Sequence, residues 1–194
     1  GTEDAIVRFG VPAHDAADNH ALGKLIKICR RIDKQSSLAA AILALFIAPF
    51  AGPAMGMDPK HVMLLMAYST ILLTPGAGSA AGLLRLNDRF DVLGRQMAIA
   101  PTIRFFGVAI AWGLGAPIEI FVAIWGAAYL TENNYLLWQA KHKYRTQINQ
   151  ALIGVNLNGI SLNDFDGLRH FIWVTYWQSN LDLLPKHTTT LLVG

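Results

Sequence analysis

Charge is scarce in this sequence. Of 194 residues, 15% are Asp, Glu, Lys or Arg and 53% are apolar, against roughly 25% charged residues in soluble domains. The shortage is uneven: Ser37 to Met57 and Val62 to Leu84 carry no charge at all. With a mean hydropathy of +0.36, that pattern places part of the surface against lipid. Cysteine is nearly absent. The single Cys29 excludes an internal disulfide and a cysteine-rich metal site. HExxH, GxSxG and a phosphate-cradling glycine loop are missing as well. Gly76-x-Gly78 lies inside an apolar run, where it reads as packing. Asn163, Asp164 and Asp166 have no regular metal-ligand spacing. Neither an enzyme nor a cofactor is therefore expected. The first residues lack the basic start, short apolar core and cleavage site of a signal peptide. With Gly1 at one end and Leu191-Leu192-Val193-Gly194 at the other, an internal fragment of a longer parent is expected.

The cations that are present sit between the apolar runs. Net charge is +3 and the isoelectric point is near 9.1. These cations are not gathered on one soluble face with interleaved aromatics, which argues against a nucleic-acid partner. Their distribution fits the positive-inside rule instead. Arg8, Lys24, Lys27, Arg30, Arg31 and Lys34 precede the first apolar run. Arg85, Arg89 and Arg95 follow the second, and Lys141, Lys143, Arg145 and Arg169 follow the fourth. The intervening loops hold only Lys60. Alternate loops are thus expected in the cytoplasm.

At 1.5 Å per residue, a run of about 20 residues crosses a hydrocarbon core of about 30 Å. Spans are expected at 37–57, 62–84, about 92–114 and about 117–137. A fifth, 171–194, is apolar at its ends and polar in its middle. The fold class is therefore all-α, a polytopic transmembrane helix bundle of about five membrane-spanning helices. By region, 1–36 is a cytoplasmic segment, 37–140 holds four transmembrane helices, 141–170 is a cytoplasmic linker, and 171–194 begins a further membrane unit. Within the first region, Asp15 to Lys34 reads as an amphipathic helix, with Pro12 and Asp15 as its start signal. Ala21, Leu25, Ile28, Cys29 and Ile32 share one face, and Lys24, Lys27, Arg30, Arg31 and Lys34 crowd the other. That division suits the surface of an anionic leaflet; a helix packed on protein is the alternative. The small residues of Thr74 to Gly82 permit close helix approach. Pro75-Gly76 predicts a kink, which serves either packing or a transport hinge.

Arg104 stands about twelve residues into the third expected span. An arginine at mid-bilayer costs about 2.5–3.5 kcal/mol, while each Leu, Ile, Phe or Val returns about 0.3–0.6 kcal/mol. It therefore needs a partner or water. Substrate phosphate, which a guanidinium grips through two parallel hydrogen bonds, an ion pair with Asp182 or Glu119, and span edges lying elsewhere are the three readings. Asp182 and Lys186 lie four apart on one helical face and either neutralise each other or contact substrate. His187 titrates near neutral pH and is a candidate for proton coupling. Arg95, near the cytoplasmic edge, is expected to snorkel to headgroups.

Ala5-Ile6-Val7-Arg8-Phe9-Gly10-Val11-Pro12, with Ala21-Leu22-Gly23-Lys24 and Arg30-Arg31-Ile32-Asp33, resembles the stretch before the third helix of bacterial oligosaccharide flippases. Gly82-Leu83-Leu84-Arg85-Leu86-Asn87-Asp88-Arg89-Phe90-Asp91 is similar to their loop after the fourth helix. Pro101-Thr102-Ile103-Arg104-Phe105-Phe106-Gly107 is similar to their fifth helix, and Asp182 to Gly194, more loosely, to their seventh. These flippases, the lipopolysaccharide biosynthesis proteins, sit in the multidrug/oligosaccharidyl-lipid/polysaccharide exporter superfamily. The resemblance implies two six-helix lobes around a central cavity, with 37–140 in the N-terminal lobe, 141–170 between the lobes and 171–194 opening the C-terminal lobe. It further implies a multi-pass inner-membrane protein that moves undecaprenyl-pyrophosphate-linked oligosaccharide for lipopolysaccharide or exopolysaccharide synthesis. Its partners would be that substrate, membrane lipids and other polysaccharide-assembly proteins. Arg104, Asp182 and Lys186 would be its substrate-binding residues. The alternatives are a multidrug or cation antiporter, which needs cavity carboxylates, and a membrane-embedded glycosyltransferase or polymerase, which needs a large acidic external loop.

Overall fold

A computed structural model describes residues 1–152 and 164–181, with the backbone alone for 143–152, 179 and 180. Among the described residues every regular element is helical: α1 (Thr2–Asp15), α2 (Asn19–Ala54), α3 (Pro59–Ser69), a 3₁₀ turn (Thr70–Leu73), α4 (Gly78–Leu86), α5 (Phe90–Gly113), α6 (Ile118–Leu152) and α7 (Leu168–Leu181). The all-α expectation is met.

The amphipathic segment and the first apolar run are one helix. No glycine or proline interrupts Lys34-Gln35-Ser36-Ser37, so α2 runs unbroken for 36 residues, about 54 Å at 1.5 Å per residue. Its start is set by Asp18, whose carboxylate accepts from the His20 and Ala21 N–H groups at 3.1 and 3.0 Å and so satisfies donors that the helix itself leaves open. Pro12 and Asp15, expected to begin this helix, instead lie in the last turn of α1. The apolar stripe expected to meet a lipid surface meets protein. Leu22, Leu25, Ile26, Ile28 and Cys29 join Ala5 and Ile6 of α1, Leu83 and Leu86 of α4, and Leu168 of α7 in a single core. The reason is shape: α1 and α7 bring apolar faces that match the stripe, while the cations stay outside.

Past Lys34 the helix turns inside out. Leu38, Ile42, Leu43, Phe46, Ile47 and Phe50 are exposed, and the buried positions are the small Ala41, Ala48 and Gly52. A polar solvent would not tolerate that arrangement over several turns, whereas hydrocarbon favours it.

The second apolar run breaks where Pro75-Gly76 predicts. After α3 the chain tightens into the 3₁₀ turn, loses helical geometry over 74–77 and resumes as α4. Freed backbone groups away from water cost several kcal/mol each, and side chains from other helices meet them here. Ser37 Oγ accepts from the Gly76 N–H at 3.0 Å, and Asp33 accepts from the Ser79 N–H at 2.8 Å. Asn133 of α6 donates to the Pro75 carbonyl at 2.9 Å. Thr2 donates its hydroxyl to the other Asp33 oxygen. Gly82 lets α1 and α4 touch: a Cβ there would lie 2.7 Å from the Glu3 carbonyl and 2.9 Å from Ile6 Cβ.

α5 and α6 form a hairpin through Gly115, whose φ of +63° suits a residue without a side chain. Met97, Phe105, Phe106, Ile110 and Trp112 point outward from α5. By length and composition, two segments are able to cross a membrane, Asn19–Ala54 and Pro59–Leu86. Among the described residues this test shows two of the five expected spans. Arg95 and Arg104 dilute the apolar character of α5, as Glu119 and the Thr131-Glu132-Asn133-Asn134 stretch dilute α6. α7 is described over Leu168–Leu181, and the rest of the expected fifth span lies outside the described residues.

Candidate functional site

Behind the outward-facing apolar surface lies an open cavity with both polar and apolar walls. α6 presents Tyr129, Glu132, Asn133 and Leu136 at helical spacing along one stripe, opposite Leu93, Gln96 and Met97 of α5. α4 closes the third side with Ala77, Gly78, Ala81 and Arg85, and Glu3 of α1 enters from the end. Together they bound a cavity of about 310 Å³. Small residues on α4 make this space: with Ala and Gly facing inward, α4 contributes backbone and little bulk.

The polar groups are arranged in pairs. Glu3 Oε1 accepts from Arg85 Nε at 2.7 Å. The Gln96 amide donates to Glu132, and Asn133 is engaged with the helix break. Burial pushes the Glu3 carboxyl above the ordinary glutamate range, with the Arg85 charge opposing it. Glu132 has no cationic partner among the described residues, so two carboxylates face one guanidinium and the lining is net acidic. A carboxylate held by one neutral amide has unused acceptor capacity. No group of three or more potential metal ligands is found among the described residues.

Arg104 lies outside this cavity. It sits nine residues before the end of α5, about 14 Å from that end, with its guanidinium 4.3 Å over the Trp125 ring. Its Nε is buried without a hydrogen-bond partner among the described residues. The expected pair with Glu119 is not found among the described residues; Glu119 is bound instead by Lys60, in the first turn of α3. Trp125 also lines an apolar groove of about 640 Å³ between α3 and α6, with Leu64, Leu65, Tyr68, Phe121 and Val122. Arg95 is exposed on α5, as a headgroup-seeking side chain should be. Asp182, Lys186 and His187 lie outside the described residues. Sequence reasoning missed Glu3, Arg85, Gln96, Glu132 and Asn133 as site residues. The available signal was Glu132 itself, an acid toward the cytoplasmic end of the expected fourth span, flanked at i−3 and i+1 by Tyr129 and Asn133.

What fold and cavity define, among the described residues, is an all-helical arrangement with two membrane-capable segments and a cavity whose charged lining is net acidic. No family model matches the chain, and no solved structure matches it. It is similar to the inner membrane protein YghQ of Escherichia coli (strain K12), at 25% identity over 200 residues covering 100% of this chain and 54% of that protein. The chain thus spans about half the length of the curated relative it matches. These comparisons correct the resemblance to oligosaccharide flippases, since no flippase family is matched and the relative is named only for its membrane. The motifs that suggested it, around Arg85–Asp91 and Pro101–Gly107, are basic loop edges and apolar helix turns. The positive-inside rule writes such patterns into many polytopic proteins.

Proposed function

We propose that this chain is part of a polytopic inner-membrane transport protein whose polar cavity takes up a proton or a small monovalent cation at Glu132. One observation carries the proposal: an acid without a cationic partner among the described residues lines an open cavity between α4, α5 and α6, within a bundle whose outer surface is apolar. Ionisable groups that face the interior of a membrane bundle are rare and mark ion or substrate pathways. A passive anchor has no use for one. In this reading α5, 24 residues long, and α6 cross the bilayer beside α2 and α3–α4. The loops rich in Lys and Arg face the cytoplasm. The protein moves its cargo without covalent chemistry.

The test uses the full-length parent in proteoliposomes carrying an internal pH-sensitive dye, challenged with a pH jump or with external sodium. Wild type is expected to move protons, or to couple sodium to proton movement, and Glu132→Gln to lose that signal at equal insertion. An unchanged signal in Glu132→Gln overturns the assignment.

A second reading concerns the cargo. The Arg104 guanidinium, with an unused buried Nε, lies beside a groove with almost wholly apolar walls. That combination favours an amphipathic cargo bearing phosphate, and a lipid-linked oligosaccharide is one such molecule. Arg104→Ala is then expected to reduce surface polysaccharide while membrane insertion stays intact. Normal polysaccharide at normal expression would exclude this cargo.

A further inference from the structure

α7 has two unlike faces. The inner one is fixed to the protein: Leu168 is fully buried in the core shared with α1 and α2, and Phe171 and Ile172 pack against that core. Phe171 meets the Phe9 ring edge-on at 5.7 Å, and the Arg8 guanidinium lies 4.8 Å over Phe171. The outer face is aromatic and bare. Trp173 and Trp177, one turn apart and in contact at 5.8 Å, are 62% and 52% exposed, with Val174, Tyr176 and Leu181 exposed around them. Beside this face, between α1 and α7, lies a cavity of about 430 Å³ lined by Arg8, Phe9, Asp166, His170, Phe171 and Gln178 among others.

Tryptophan pairs on an exposed helix face are costly in water and favourable at the headgroup level of a bilayer, where one end of the ring is apolar and the other wet. Charge agrees with that placement. Arg8 and Arg169 are exposed, and Arg8 lines the groove together with Asp166. The core that α7 shares with the first half of α2 puts the exposed Arg30, Arg31 and Lys34 at the same end of the molecule. We infer that α7 lies in the cytoplasmic interface of the bilayer, Trp173 and Trp177 sunk to the headgroup boundary, and that the adjoining groove presents Arg8 to the phosphate of an anionic phospholipid. The occupant is the membrane surface, and the inference stands apart from the transport reading.

The experiment uses the full-length parent in vesicles of phosphatidylcholine with and without phosphatidylglycerol. Nitroxide labels at Trp173→Cys and Trp177→Cys are read for accessibility to oxygen, which concentrates in hydrocarbon, and to a water-soluble nickel chelate. The expected result is comparable access to both, the signature of the headgroup boundary. Oxygen access alone would make α7 a membrane span, nickel access alone would put it in water, and neither would put it beneath another part of the protein; each overturns the inference. In the second arm, Arg8→Ala is expected to reduce retained phosphatidylglycerol about fivefold, the weight of one basic contact near an anionic surface. Arg8→Lys should restore most of it, and phosphatidylcholine retention should not change. Equal phosphatidylglycerol retention in wild type and Arg8→Ala would remove the groove from the proposal.

Discussion

The two halves of α2 share one backbone and opposite rules. From Leu22 to Ile32 the large apolar side chains point inward and the cations outward. From Leu38 to Phe50 the large apolar side chains point outward and the buried positions are alanines. Leu25 is 0% exposed and Phe46 is 68% exposed, although both are large residues on the same continuous helix. The difference lies in the surroundings. In the first half, water repels apolar surface and tertiary packing collects it. In the second, lipid tails are as apolar as leucine, so helices associate through close fit, and small residues supply the fit.

Four substitutions probe this contrast, the largest effect first. Leu25→Ala should lower the unfolding free energy of the detergent-solubilised parent by about 2–5 kcal/mol, the range for a buried leucine left as a cavity. A loss under about 1 kcal/mol would mean that the core around α1 and α7 is loose, and the contrast would fail in its first half.

Asp33→Ala acts at the boundary between the halves. It strands the Ser79 N–H, and removal of a partner from a buried donor costs about 1–3 kcal/mol. Amide hydrogen exchange at Ser79 and its neighbours should quicken more than exchange elsewhere in α4. Uniform exchange would show that the break holds without Asp33.

Glu3→Gln should change a slope more than a level. Because burial raises the Glu3 carboxyl above its ordinary value, the folded state holds its proton more tightly than the unfolded one. Its stabilising contribution is present below the ordinary glutamate value and is lost as pH rises through the raised value. The wild-type melting temperature should therefore fall with rising pH in that window, and the glutamine variant should be flatter there. Parallel curves would refute the assignment of burial as the leading cause.

The smallest effect is expected in the second half of α2. Phe46→Ala gives up lipid contact rather than a packed core, so its cost is the membrane-partition share of one side chain, about 0.3–0.6 kcal/mol. A loss near that of Leu25→Ala would place protein, not lipid, against Phe46.

Several features were legible in the sequence itself. Pro75-Gly76 announced the break, because a missing N–H and a missing Cβ both disfavour continuous helix. The uncharged runs announced apolar surroundings. What stayed hidden depended on neighbours far along the chain. Nothing local to Lys60 and Glu119 says that they meet across 59 positions, and their meeting removed the partner expected for Arg104. The continuity of α2 was missed because a change from charged to uncharged composition looks like a boundary, although helical geometry is indifferent to it. The cavity was missed because its lining comes from four helices in particular rotations. Helical spacing reports which residues share a face but not which face another helix covers.

Composition and charge order determined, by themselves, that this chain forms helices, that long stretches of it belong in an apolar medium, and where its basic loops fall. Those outcomes follow from transfer free energies, which each residue carries wherever it sits. Tertiary structure alone decided that the stripe on α2 packs on protein, that Arg104 rests on Trp125, and that Glu132 faces a polar space without a counter-charge among the described residues. Those outcomes depend on distances between helices, and distance is what sets the strength of a contact or a charge.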